Sequence, residues 1–271
     1  MERRVFLAKA LAASVSLVAL GACGGETSFK TYPSYRYRLT VEVDTPEGLR
    51  SGSSVIEVKN AADNQHVLGP MAIVRGDSRG EAVMVDLGKH GKLFALLCDT
   101  NKVDWAVDAL EQFAKRPTNA DVQGLPDTGI NPKFDLFMQR VRALRGRFVV
   151  PRWLPFPRIG PKEPRSGYPL LVRFRDIAQP ASVEEVNPDD LAASFGSGVS
   201  LRRLVVTTTD DPVTYSLVKT LPWLDRLPHG VLQDDPTPEI PRMKRPHNTG
   251  PLPLPQRLGR QRFIKEKFDG R

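Results

Sequence analysis

Between Tyr35 and Val43 every second residue is apolar: Tyr35, Tyr37, Leu39, Val41 and Val43, with Arg36, Arg38, Thr40 and Glu42 between them. Side chains along a strand point alternately to opposite faces, so this pattern commits the segment to a half-buried strand and the chain to a sheet with a covered face. Thr45-Pro46-Glu47-Gly48 supplies a turn, and Val55, Ile56 and Val58 resume the β character, which predicts a hairpin. Met71 to Val74 reads as a third strand. Glu81 to Leu87 and Lys92 to Cys98 read as a second hairpin across Gly88-Lys89-His90-Gly91. Its second arm is apolar on both faces and is expected at the centre of a sheet.

Helical spacing follows. Val103, Ala106, Val107, Leu110 and Phe113 form one stripe; Phe134, Phe137, Met138, Val141 and Leu144 form another behind Asn131-Pro132. The same Asx-Pro opening recurs at Asn187-Pro188 and Asp211-Pro212, where a side chain can cap free N–H groups and proline suits the first turn. Helices are therefore expected over 132–145, 188–195 and 212–221. Leu170 to Phe174 and Leu201 to Thr209 read as further strands. Six prolines between Arg147 and Pro169 predict an extended, structurally weak segment, and nine between Pro222 and Pro255 a loop ending in a short basic amphipathic stretch over 257–268. The fold class implied is α+β: a mostly antiparallel sheet, helices on one face, and a Pro-rich basic tail over 226–271. The body is expected over 34–225, as one core or as two parts, 34–146 and 168–225.

The N-terminus carries Arg3, Arg4 and Lys9, then an apolar run from Ala10 to Leu20 broken only by Ser14 and Ser16, then Leu20-Gly21-Ala22-Cys23. That run is shorter than the ~20 residues of a spanning helix and has the layout of an export signal. The tetrapeptide resembles a bacterial lipobox. The resemblance implies a signal peptide over 1–22, a lipid on Cys23, and a tether over 23–33 that holds the protein to a membrane. Arg3-Arg4-Val5-Phe6-Leu7-Ala8-Lys9 also resembles the twin-arginine pattern, with Glu2 where Ser or Thr is usual and Ala8 intervening before the lysine. Both that route and the general secretory route stay open. Gly24, where an aspartate would imply inner-membrane retention, implies the outer membrane, facing the periplasm. In the body, residues 35–43 running on to 52–58, and Asp211-Pro212-Val213-Thr214 leading to Leu221-Pro222-Trp223-Leu224, resemble uncharacterised proteobacterial proteins, and that resemblance brings no activity with it.

The formal net charge is +8, unevenly spread. Residues 139–175 hold ten Arg and Lys against Glu163 alone, and residues 242–271 hold nine against two acids. Arg147, Arg152, Arg158, Lys162 and Arg165 are the candidates for contact with anionic envelope surfaces. Nucleic acid is not expected as a partner of an exported chain. With Cys23 acylated, Cys98 has no intrachain disulfide partner, and its apolar neighbours predict a buried, inert thiol.

Gly76-Asp77-Ser78-Arg79-Gly80 matches the G-x-S-x-G string of α/β-hydrolases, but the residues after it read as a strand rather than a helix, so a hairpin turn explains it better. Ser78 with His90 is the least poor hydrolase pair. Asp189-Asp190 and Asp210-Asp211 fall at expected helix starts, where capping accounts for them, and no histidine spacing suggests a metal. No cofactor is implied. The expected function is a non-enzymatic, membrane-tethered periplasmic lipoprotein that binds a partner or contributes to the envelope. The alternatives are a hydrolase using Ser78 or an unrecognised triad, and a binding domain for an anionic ligand.

Overall fold

The computed structural model describes residues 29–63, 73–100, 104–125, 131–154, 165–227, 231–232 and 253–268. Cys23, the signal residues Arg3, Arg4, Leu20, Gly21 and Ala22, and Arg158 and Lys162 lie outside them.

Alternation has its expected consequence. Strand β2 (Tyr35–Thr45) buries Tyr37, Leu39, Val41 and Val43 completely or nearly so, and turns at Pro46-Glu47 into β3 (Gly48–Asp63). The β3 strand is far longer than its apolar centre, because β1 (Phe29–Thr31) pairs with its distal end and β4 (Ile73–Glu81) with its other edge. With β7 (Arg147–Val149), β12 (Ser200–Thr208) and β13 (Ile264–Lys265), these strands make a seven-stranded antiparallel sheet in the order β13-β4-β3-β2-β12-β7, β1 also pairing with β3. A second antiparallel sheet has the order β11-β10-β6-β5, from β5 (Val83–Asp86), β6 (Lys92–Ala95), β10 (Leu171–Phe174) and β11 (Val183–Glu185). The β6 strand is central, as its two apolar faces require. A two-stranded hairpin, β8 (Trp153–Leu154) with β9 (Arg165–Ser166), stands within the proline-rich stretch.

The chain passes from the large sheet to the small one through Ala82 alone, so β4 and β5 are one strand bent between two sheets. The sheets meet at Gly52, where a Cβ would overlap the Met84 carbonyl oxygen. Only glycine permits backbone on backbone at that distance. One apolar cluster joins the inner face of the large sheet to Val83, Val85 and Leu93, to α1 (Trp105–Glu111) and to α2 (Pro132–Ala143). Residues from both halves of the body, Tyr37 and Val141 on one side and Leu171 and Leu204 on the other, share that cluster. A second cluster lies on the far side of the small sheet around Phe94, Leu96 and Val172.

Several expectations need correction. Asn131 caps α2 as predicted, its side chain accepting from Lys133 N at 3.0 Å, but the other two Asx-Pro sites do not open helices. At 188–195 the residues after the proline form a turn, and the cap falls to Asp190, whose carboxylate accepts from Ala193 N at 3.1 Å before the four-residue α3 (Ala192–Phe195). At 212–221 Asp211 spends its carboxylate on Arg38 at 2.7 Å while the Thr214 hydroxyl accepts from Val55 N at 3.0 Å. These tertiary bonds hold 212–216 along the sheet and leave only a short 3-10 turn at Leu217–Lys219. Part of the expected tether, Phe29–Thr31, is strand β1. The expected tail also ends in folded chain: α4 (Leu254–Arg257) leads to Leu258 and Phe263, both fully buried, and β13 closes the edge of β4. Phe263 O accepts from Ala82 N at 2.7 Å, and its ring centroid lies 5.9 Å from Phe174 and 6.0 Å from Trp223.

Candidate functional site

Ser78 does not sit on an elbow or in a turn. It lies inside β4, paired with Val58, and has no solvent exposure. The flanking glycines have packing roles: a Cβ on Gly76 would overlap Val107 of α1, and Gly80 has φ +143° with Ile56 and Val55 about its Cα. The Ser78 hydroxyl lies 3.1 Å from both carboxylate oxygens of Asp104, and Lys265 pairs with Asp77 beside it. Burial pushes the Asp104 carboxyl up, while Lys265 and the Ser78 hydroxyl pull it down. His90 is elsewhere, its Nδ1 2.8 Å from the Phe195 carbonyl and its Nε2 3.1 Å from Glu47. The structure does not bring Ser78 and His90 together. Ser78→Ala is expected to cost about 1–3 kcal/mol through the unsatisfied Asp104, seen as a fall of several degrees in Tm, and a serine-directed phosphonate probe is expected to leave the parent protein unlabelled. Labelling that vanishes in the variant would restore the nucleophile.

A polar seam continues beneath α1. Glu111 is buried, accepts from Asn60 Nδ2 at 3.0 Å and from the Tyr35 hydroxyl at 3.3 Å, and burial, with the Asp108 carboxylate adding to it, raises its pKa to about 7. Burial and the Glu111 charge push the Tyr35 phenol well above its ordinary value. Cys98 is likewise raised to about 12 by burial, as an inert thiol should be.

The basic candidates are mostly spent within the protein. Arg147 Nη2 lies 2.8 Å from Glu42, which Arg203 also meets at 2.8 Å. Arg152 makes a two-pronged contact with Asp189 at 2.8 and 2.7 Å and stacks on Trp153 at 4.0 Å. Arg165 stands 3.7 Å from Asp108. The Arg152–Asp189 pair lines a cleft of about 390 Å³, with Asp190 as a second acid on its wall.

A different cleft, of about 250 Å³, opens where α2 ends against β2 and β12. Its floor is Leu110, Val141, Leu144 and the Tyr35 ring, and Arg36, Arg142 and Arg145 stand around it. The Arg36 guanidinium is held 3.3 Å from Glu57 and 3.3 Å from the Asp210 carbonyl. Arg145 donates to the carbonyls of Arg142 and Leu144 at 2.6 and 2.7 Å, closing the helix end where a cation is favoured. Arg142 is exposed and has no carboxylate partner among the described residues. Asp210 is the one acid lining this cleft among the described residues. Three guanidinium groups over an apolar floor suit an anion attached to a small apolar body.

No family model, curated protein or solved structure matches this chain. Its chemistry must be read from the molecule itself. Among the described residues no group of three His, Cys, Asp or Glu side chains could hold a metal, and no helix is long and apolar enough to cross a membrane. The cleft arginines escaped sequence reasoning although Arg142 and Arg145 fall in the basic run over 139–175. The usable signal was Arg142 in the last turn of a capped helix and Arg145 just past its end, beside Val141 and Leu144.

Proposed function

We propose that the chain is an exported lipoprotein, acylated at Cys23 and held at the periplasmic face of the outer membrane, whose body is a non-enzymatic binding module for a small anionic ligand. In this reading α1 and α2 cover one face of the large sheet, and the ligand enters the cleft where α2 ends. The observation that carries it is the convergence of Arg36, Arg142 and Arg145 on an apolar floor with a single acid among the described lining residues. The ligand class is a carboxylate or phosphate ester bearing a short apolar portion. Binding is favoured over hydrolysis because Ser78 is buried in a strand and His90 is committed to Glu47 and Phe195.

Thermal denaturation with a panel of short-chain carboxylates, aromatic carboxylates and small organic phosphates tests this. At a hundredfold excess over Kd, binding adds about 2.7 kcal/mol, or several degrees in Tm. Arg142→Gln is expected to weaken the affinity about tenfold or more while leaving the unliganded Tm nearly unchanged, since its side chain is exposed and a hydrogen bond to a charged group contributes about 1.5–3 kcal/mol; Arg145→Gln should weaken it similarly and also lower the unliganded Tm, because its bonds to the Arg142 and Leu144 carbonyls go with it. A panel without any stabilising member, or a ligand indifferent to both substitutions, would remove the cleft from the account. The address is tested separately, by the mass of the N-terminal peptide recovered from host membranes: acylated Cys23 is expected, and an unmodified terminus elsewhere would return Cys23 to an ordinary thiol.

A further inference from the structure

The strand order gives the lipid anchor a direction. The β1 strand continues the line of β2 along β3, with Phe29 opposite Asp63, and β4 continues the row with Ile73 opposite Asp63 and Val74 opposite Ala62. Phe29 therefore stands at one end of the large sheet as described, level with Asp63 and Ile73. Phe29 is 60% exposed and Val74 46%, each among the most exposed large apolar residues described. Lys30, whose side chain is 42% exposed, and Arg75, also exposed, lie next to them in sequence.

Six residue steps separate Cys23 from Phe29, a reach of at most about 22 Å. A body of this length is expected to have a radius of gyration near 18 Å, which corresponds to roughly 45 Å across. A tether half as long as the body is wide cannot present any face to the bilayer at random. We propose that the sheet end bearing Phe29 and Val74 rests on the lipid surface, with the two apolar side chains at the headgroup boundary. Exposed aromatic and apolar side chains are what that boundary accommodates, and a single acyl chain needs a second contact for stable attachment.

The same end fixes where the cleft lies. Lys30 Nζ lies 2.7 Å from Asp135 in the first turn of α2, and the Tyr32 hydroxyl donates to the same carboxylate. Arg142 follows by seven residues, about 10 Å further along the helix, and Arg145 lies just past its end. The cleft is thereby lifted off the bilayer and open to the aqueous side. This inference rests on acylation of Cys23, and the test separates the two.

The full chain, purified from membranes and reconstituted in vesicles of phosphatidylethanolamine and phosphatidylglycerol with a lipid-borne quencher, is labelled with a fluorophore at Val74→Cys or Phe29→Cys. Val149→Cys is the control: it is 55% exposed but pairs through Val205 with Thr40, about 35 Å along the sheet from Phe29. Cys98 is buried and stays silent. Quenching several-fold stronger at positions 74 and 29 than at 149 is expected. With Cys23 shown by mass to be acylated, equal quenching at the three positions, or stronger quenching at 149, overturns the orientation and leaves the anchor standing. An unmodified Cys23 overturns both. Should Phe29→Cys fail to fold, Val74→Cys decides the matter alone.

Discussion

Phe263→Ala is expected to destabilise the protein by about 3–5 kcal/mol, the range for removing a fully buried aromatic ring. Phe263 has no exposure and packs against Phe174 and Trp223, with Leu258 and Ile264 buried on either side of it. Its backbone also matters: the Phe263 carbonyl accepts from Ala82 at the bend between the sheets, and the Arg262 carbonyl accepts from Leu97 N at 2.9 Å. Truncation before Pro253 is expected to go further and leave no cooperative transition, because it strips β4 of its outer neighbour and exposes the second apolar cluster. Urea denaturation followed by tryptophan fluorescence checks both. A change below about 1 kcal/mol in Phe263→Ala would mean that the last residues are an appendage.

The second large effect depends on pH. Glu111 has a raised pKa, about 7 in the folded protein against 4.5 for the exposed group. Between those values the folded state holds a proton that the unfolded chain has released. Its contribution to stability is therefore fully present below about pH 4.5 and is lost as pH rises through 7. Asp104 and Asp108, also raised by burial, act in the same direction. Glu111→Gln keeps an oxygen for Asn60 and Tyr35 but never ionises. At pH 4 the variant and its parent should be equally stable; at pH 8.5 the variant should be more stable by about 3 kcal/mol, on the order of 6–12 °C in Tm. Denaturation curves at the two pH values decide it, and an offset that does not change with pH would mean that Glu111 acts through packing rather than through its charge.

The β-rich body was legible because its signal is local. Tyr37, Leu39, Val41 and Val43 announce their face within nine residues, and Asn131-Pro132 announces the start of α2 within two. What escaped depends on partners far along the chain. Asn60 looks like a strand breaker until Glu111 supplies its acceptor, so the length of β3 could not be read from its own residues. Asp211-Pro212 has the chemistry of a helix start, and Arg38 takes the cap away. Phe263-Ile264 sits among charges that read as a solvated tail, and nothing nearby in sequence shows Phe174 and Trp223 waiting for it. The cleft gathers residues from 34–36, 110, 141–145 and 208–210, four separate segments that no linear motif could join.

The closing strand β13 has a consequence for the order of events in the cell. The edge of β4 and the second cluster are both completed by residues 258–265, more than 160 positions after Phe94 of the same cluster. No intermediate lacking them can bury Phe94, Phe174 and Trp223. The second cluster therefore cannot close while residues 258–265 are still being synthesised. A chain made N-terminus first therefore leaves this half of the body pliable until those residues arrive.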